Sequence, residues 1–453
     1  MRSWMALAAV ACLLLAGCTG TTTTSSSGPV GLDGLPVKPI TDVWAGVRAA
    51  MADVPCEATV GAANTSTANL KLLSSIAIPD SQDGIHGELD IRGELAIHAR
   101  YGSSGFELYD IRDPLAPKHL GNWSNTDATG AIVDDGALDV KFSPDNATVL
   151  VGVGNAIHLV DVRDPLNPHK VGEWLASEAT PKLGPAATLT YNSHMLYTKR
   201  IADQDWVFLA PNANSGVWIL KMTGGPDAPK LTFVTETLPV EGGPIGPHDM
   251  YVQKDGLDGN WYLYSADGFH GWTAFNVNNP AMPLPAGGVI NPVEAAYTHT
   301  MQAATINGKR IVATIAEIGA DFLRVYDATV MAAPILLGVW QAETTAAGAT
   351  SPQHNFNIVD GKLYLSNYGH GMYIFDLKAF TAGLSLPAVG TVTLKPVAHW
   401  AVGGETIDES FSGFWDTLVQ DGVIYVSHIE GGLVVLGYGC NKDLPNPALT
   451  SDG

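Results

Sequence analysis

Five histidines recur along this chain at nearly one interval: His86, His194, His248, His299 and His354, with successive gaps of 108, 54, 51 and 55 residues. The first gap is twice the others and skips one unit. Neutral imidazole is the commonest metal-binding side chain near neutral pH, and it suits iron, copper and zinc. Three or four such rings converging with an open position would hold a catalytic metal. The plainer alternative is a residue inherited with a repeated unit, bonding to backbone or channel water. Glu88, Asp249 and Asp416 lie beside the repeated position and could orient imidazoles as acceptors. Strand alternation turns Asp249 and Asp416 away from any central channel, which favours bonds between neighbouring units. His270 and His370 occupy matching turns (GFHGW, YGHGM), and His98 and His428 end matching strands. His119, His158, His169 and His399 read as surface residues of outer strands. No G-x-S-x-G, zincin, phosphate-loop or dinucleotide motif occurs, so no catalytic residue names itself.

The elements that must position these rings are short strands. From His354 the chain reads HNFNIVDGKLYLSNYGHGMYIFD, and from His86 it reads HGELDIRGELAIHARYGSSGFELYD. In both, glycine follows the histidine by seven residues (Gly93, Gly361) and leucine by nine (Leu95, Leu363). Seven such units begin near His86, Leu138, His194, His248, His299, His354 and Trp415, so units two and seven replace the histidine by Leu138 or Asp139 and by Trp415. Each unit holds four strands; in the sixth these are expected at His354–Val359, Lys362–Asn367, Gly371–Leu377 and Lys395–Trp400. The middle strands are apolar on both parities, as in a sheet covered on both faces. Trp123, Trp174, Trp340 and Trp400 close the fourth strands and read as wedges between units. A periodic four-stranded unit that puts one side chain at one place implies a β-propeller with a histidine ring at one mouth of its channel.

Between the third and fourth strands the chain reads YDIRDPLAPKHLGNW (Tyr109 to Trp123) and VDVRDPLNPHKVGEW (Val160 to Trp174). These segments resemble the LVIVD repeat of bacterial and archaeal cell-surface propellers. Weaker copies are FNVNNPAMP (Phe275 to Pro283) and VYDATVMAAP (Val325 to Pro334), and the third and seventh units lack the turn. The resemblance covers about residues 86 to 438 and implies a fold while carrying almost no chemistry. Carotenoid oxygenases are similar in general layout, with four histidines binding iron on a seven-bladed axis, but none of their sequence motifs occurs here.

The expected fold is therefore all-β, a seven-bladed propeller over residues 69–440. Its seventh unit stops after LVVLGYG (Leu433 to Gly439), and the missing outer strand is supplied by Asn69–Ile78. Cys56 and Cys440 flank that closure and are expected to form one disulfide, the alternative being two buried thiols. Ahead of the propeller lie a signal peptide (1–17), a Thr/Ser-rich tether (18–41), and a lead-in (42–68) that contains Cys56 and a short amphipathic helix at Asp42 to Ala52; a tail (441–453) follows. Leu15-Ala16-Gly17-Cys18 resembles the lipobox of bacterial lipoproteins, which implies lipidation at Cys18, export and anchoring to the cell envelope. The formal charge of −21 disfavours nucleic acid and anionic lipid headgroups as partners. The expected protein is a monomeric, surface-tethered binding or scaffolding module for a protein, glycan or small ligand. The competing expectation is an exported metal-dependent enzyme, an oxidoreductase being one option, with iron, copper or zinc on the five histidines.

Overall fold

A computed structural model describes residues 32, 38–61, 65–77, 86–101, 104–132, 136–137, 139–179, 193–211, 216–237, 246–290, 297–318, 323–342, 353–384, 392–401 and 412–441. Short runs of Val, Ile, Leu and Tyr separated by Gly, Asp and Asn turns build seven antiparallel sheets, six of four strands and one of five. Blades 1 to 7 have inner strands His86–Arg92, Asp139–Phe142, Met195–Ile201, Asp249–Lys254, Tyr297–Ile306, Phe356–Val359 and Phe414–Gln420. The core is divided into apolar layers between adjacent blades. The fourth-strand tryptophans fill these layers as wedges: Trp174 meets Trp218 of the next blade at 6.2 Å, and Trp340 meets Tyr373 at 4.8 Å. Trp400 is half-buried against the layer of Phe414 and Leu436 in blade 7.

The recurrent Asp-x-Arg-Asp-Pro turn is a local hydrogen-bond device. Asp110 accepts bonds from the backbone N–H and the guanidinium of Arg112, and Asp161 does the same for Arg163. Asp113 and Asp164 then cap the turn by accepting from Leu115 and Leu166 N–H groups. Asn279 repeats this cap in the weaker copy by accepting from Ala281 N–H. The motif is thus consumed in turning the chain.

Blade 7 is closed by strand Leu70–Ile76, which pairs antiparallel with Gly432–Tyr438 and completes the order outer strand, third, second, inner. Ile78 lies outside the described residues. The Cys56–Cys440 disulfide, with Cα atoms 4.3 Å apart, ties the lead-in to the end of the last strand. There the chains pass so closely that a Cβ on Gly439 would stand 1.8 Å from the Pro55 carbonyl oxygen, so only glycine fits. A helix at Ile40–Met51 buries Val43, Trp44 and Val47, and Trp44 and Val47 join the layer between blades 7 and 1.

One departure from the sequence reading lies in blade 6. Leu377–Gly383 forms a helix, N-capped by the Asp376 side chain accepting from Ala379 N–H at 2.7 Å. Seven residues are too few to display a helical period, so the run reads as loop. The insertion shortens the fourth strand to Ala398–Trp400 and lends Val392–Thr393 to the outer edge of blade 5 as a parallel fifth strand.

Candidate metal centre

Each repeated histidine sits at or near the start of its blade's inner strand, and in three of them a backbone bond to the end of the second strand fixes it there. His194, His248 and His354 donate their N–H groups to the carbonyls of Ala210, Ala266 and Ser366. His299 has a different local cause. The pairing register shifts between Thr298 and Thr300, so His299 is the unpaired residue of a bulge, a feature that re-aims a side chain. Trp415 occupies the matching bulge in blade 7.

Four of the five rings come together. Successive ring centroids lie 4.1 Å apart for His194–His248, 4.2 Å for His248–His299 and 4.4 Å for His299–His354. The Nε2 atoms of His194 and His248 are 2.8 Å apart. Glu317, from the second strand of blade 5, reaches the same point, with Oε2 3.5 Å from His299 Nε2 and Oε1 4.0 Å from His354 Nε2. Ligand atoms of His248, His299 and Glu317 all lie within 4.8 Å of one another. Two donors sharing one ion at ~2.1 Å each stand about 3 to 3.4 Å apart. The His194–His248 and His299–Glu317 separations are close to that spacing, and His248, His299 and Glu317 are the three groups whose ligand atoms are mutually close.

His86 stands apart. Its Nδ1 donates to the Ile429 carbonyl at 2.7 Å, and its ring lies 4.6 Å from His98, at the junction of blades 1 and 7. Trp415 closes that side of the cluster, 4.1 Å from the His354 ring. Leu138, which stands at the histidine position of unit two, lies outside the described residues.

His248, His299 and His354 are buried, His194 and Glu317 half-buried, and burial keeps the rings in the neutral form. Burial pulls His194 down to about 4 and His354 down to about 3, in the latter against the raising effect of the Trp415 carbonyl. His248 and His299 fall well below the ordinary value, first through burial and then through their histidine neighbours. Neutral imidazole is the form that offers a lone pair to a metal. His354 Nδ1 donates to the Trp415 carbonyl at 2.8 Å, which leaves its Nε2 as the lone-pair atom. Nδ1 of His194, His248 and His299 is buried without a hydrogen-bond partner among the described residues. Tyr368 donates its hydroxyl to Glu317 Oε1 at 2.9 Å and holds that carboxylate in place.

Glu317 and Tyr368 were not legible as site residues. The carboxylate lies at the far end of the second strand of blade 5, and the hairpin pairing of that strand with the inner strand, at the bulge, brings it beside His299. The acids beside the histidines behave differently from the alternation argument. Asp249, Asp416 and Glu88 line the channel cavity. They bridge blades as expected: Asp416 accepts from Leu89 N–H at 3.1 Å, and Asp249 bonds the Thr300 side chain. The pleat sends the residue after each histidine inward, because the histidine itself precedes the regular strand or sits in a bulge. His158 and His399, expected at the surface, are buried against Trp123 and Tyr373. His169 is exposed and His119 half-exposed. His370 is buried in its turn and His270 half-exposed in the matching one, and neither ring is among those that pack in the cluster. His98 bonds Ser427 of blade 7, and His428 accepts from Gly431 N–H.

No protein-family model and no curated protein sequence matches the chain. Among solved structures it is similar to the computationally designed Ika8 protein, at 9% identity and a TM-score of 0.47 over 81% of this chain and 99% of that one. It is also similar to BamB from Moraxella catarrhalis, at 11% identity and a TM-score of 0.45 over 82% of this chain and 98% of that one. Likenesses at this level carry no argument about function, and the propeller assignment rests on the strand pairing itself.

Proposed function

We propose that this protein is an exported, lipid-anchored propeller of the LVIVD-repeat kind that binds a divalent transition metal at the histidine mouth of its channel. The observation that carries the metal reading is the meeting of four neutral imidazoles, from His194, His248, His299 and His354, with the Glu317 carboxylate. Nitrogen donors with one carboxylate suit iron, copper or zinc. Two hydrogen-bonded orienters support the set, the Trp415 carbonyl on His354 and Tyr368 on Glu317. His86 is not assigned to it, because its ring nitrogen is committed to Ile429 at the blade 7 junction. The lipobox-like Leu15-Ala16-Gly17-Cys18 and the Cys56–Cys440 disulfide support export, since disulfides persist in oxidising compartments.

Metal content of the purified chain, measured after incubation with iron, copper and zinc salts and dialysis, tests the reading. One ion per chain is expected, and the paired substitution His248→Ala with His299→Ala should abolish it while the circular dichroism of the sheets is unchanged. A metal-free wild-type protein would leave a binding or scaffolding propeller without a metal.

A further inference from the structure

Below the histidines the channel holds a cavity of about 370 Å³, within the range of small-molecule sites. No histidine lines it, so it is a compartment separate from the proposed metal centre. Its wall is layered by the pleat. The layer nearest the histidines contains Glu88, Asp249 and Asp416, all buried, together with Thr300 and Asn355, and the buried Lys141 reaches it with an ammonium bonded to Asp139. The middle layer carries Tyr197 and Tyr251, whose rings pack at 5.4 Å, with Gln302 pinned by its bonds to blade 6. The outer layer, at the exposed end of the inner strands, carries Arg92 and Lys199.

Two groups in this wall are left open to a ligand. Lys199 makes no hydrogen bond or ion pair among the described residues; its ammonium lies 5.1 Å over the Tyr197 ring, and its neighbour Arg92 is only loosely held by Asp90 at 3.5 Å. At the deep end, Asn355 is 95% buried, yet its Oδ1 has no hydrogen-bond partner among the described residues, while its Nδ2 donates to Glu88. Charge is therefore graded along the channel: inside, the carboxyl groups outnumber the one buried ammonium, that of Lys141, which Asp139 holds, and at the mouth stand Lys199 and the loosely paired Arg92. A simple anion would meet the deep carboxyl groups, and a simple cation would meet Lys199 and Arg92 on entry.

We propose that the cavity binds a linear zwitterion of the size of a short peptide, its ammonium among Glu88, Asp249, Asp416 and Asn355 Oδ1 and its carboxylate on Lys199 and Arg92. The length follows from the strands. Four residues from Glu88 to Arg92 rise about 13 Å at ~3.3 Å each. The long basic side chains shorten that span, which leaves room for about two to four residues of extended peptide. The aromatic middle layer supplies an apolar wall for the chain between the charged ends, without selecting its side chains.

Calorimetry on the full chain with triglycine, in buffer containing a metal chelator, tests this independently of the metal reading. Triglycine is expected to bind one to one. Capping either end, as N-acetyl-triglycine or as triglycine amide, should weaken binding by about tenfold or more, the loss of one charge-assisted contact. Lys199→Met should weaken triglycine to a similar degree but leave triglycine amide unchanged, and Lys199→Arg should restore it. Absence of triglycine binding at millimolar concentration, equal binding of the capped forms, or tighter binding of the purely cationic spermidine would each overturn the proposal.

Discussion

At the scale of single residues, the chain spends buried polar groups at one rim of the propeller. Burial of an imidazole keeps it neutral, and a neutral ring with its other nitrogen pointed at a carbonyl is a prepared ligand. Glu317→Gln tests how far the carboxylate belongs to the centre: it keeps the shape and removes the charge, and should weaken metal affinity by about 10- to 100-fold. Competition with a chromophoric chelator would measure that loss, and an unchanged affinity would place Glu317 outside the set. A different residue exposes the cost of burying charge. Asp267 is 5% exposed and accepts from Ser265 and Thr273 hydroxyls, yet burial raises its pKa to about 6. A raised carboxyl pKa favours the folded state at low pH, and that contribution fades as pH rises through about 6. Asp267→Asn cannot ionise, so its stability relative to the wild type should improve between about pH 3 and about pH 7, by up to about 3 kcal/mol. Urea unfolding of both proteins across that interval would show it, and a constant difference would rule it out.

At the scale of elements, bulges and closure decide the geometry. The bulges at His299 and Trp415 turn two side chains toward the axis that regular pleating would have placed between blades. Closure depends on Leu70–Ile76 covering the edge of Gly432–Tyr438, an edge that would otherwise template aggregation. The disulfide spans 384 residues of sequence, so it closes a very long loop. Replacing Cys56 and Cys440 together by Ser should lower stability by about 2 to 5 kcal/mol, the range typical of native disulfides, against a chain-entropy ceiling of about 6 kcal/mol for a loop this long. The chain should also become sensitive to proteolysis near the lead-in before it unfolds globally. Equal protease resistance of the two proteins would show that strand pairing alone holds the ring shut.

At the scale of the whole molecule, the ring divides its axis into two compartments, a histidine-lined mouth and a charged cavity beneath it. Among the described residues no helix is long and apolar enough to cross a membrane; the proposed lipid attachment rests on the N-terminal lipobox-like segment, which lies outside those residues. Cys18→Ser should move the protein from the membrane to the soluble fraction in cell fractionation, and continued membrane association after signal cleavage would refute lipid attachment.

The sequence by itself determined the repeat, the number of blades, the strand that closes the ring and the cysteines that lock it. Each of these is written in local pattern: period-two apolar runs, the Asp-Pro turns whose carboxylates bond their own neighbours, and a seventh unit lacking its outer strand. The regular spacing also put the histidines at one level of the channel. Which of them meet was decided only by tertiary structure. His299 is turned by a bulge, a register event between strands, and His86 is drawn off by the Ile429 carbonyl of blade 7, 343 residues away in sequence. Tyr368 is brought onto Glu317 by packing of blade 6 on blade 5, while Glu317 itself reaches His299 through the bulged register of its own hairpin. The alternation rule failed for Asp249 and Asp416 because it was counted from histidines that lie outside the regular pleat. Spacing along a chain specifies a position in a repeat, while convergence on a point depends on how the ring closes around its axis.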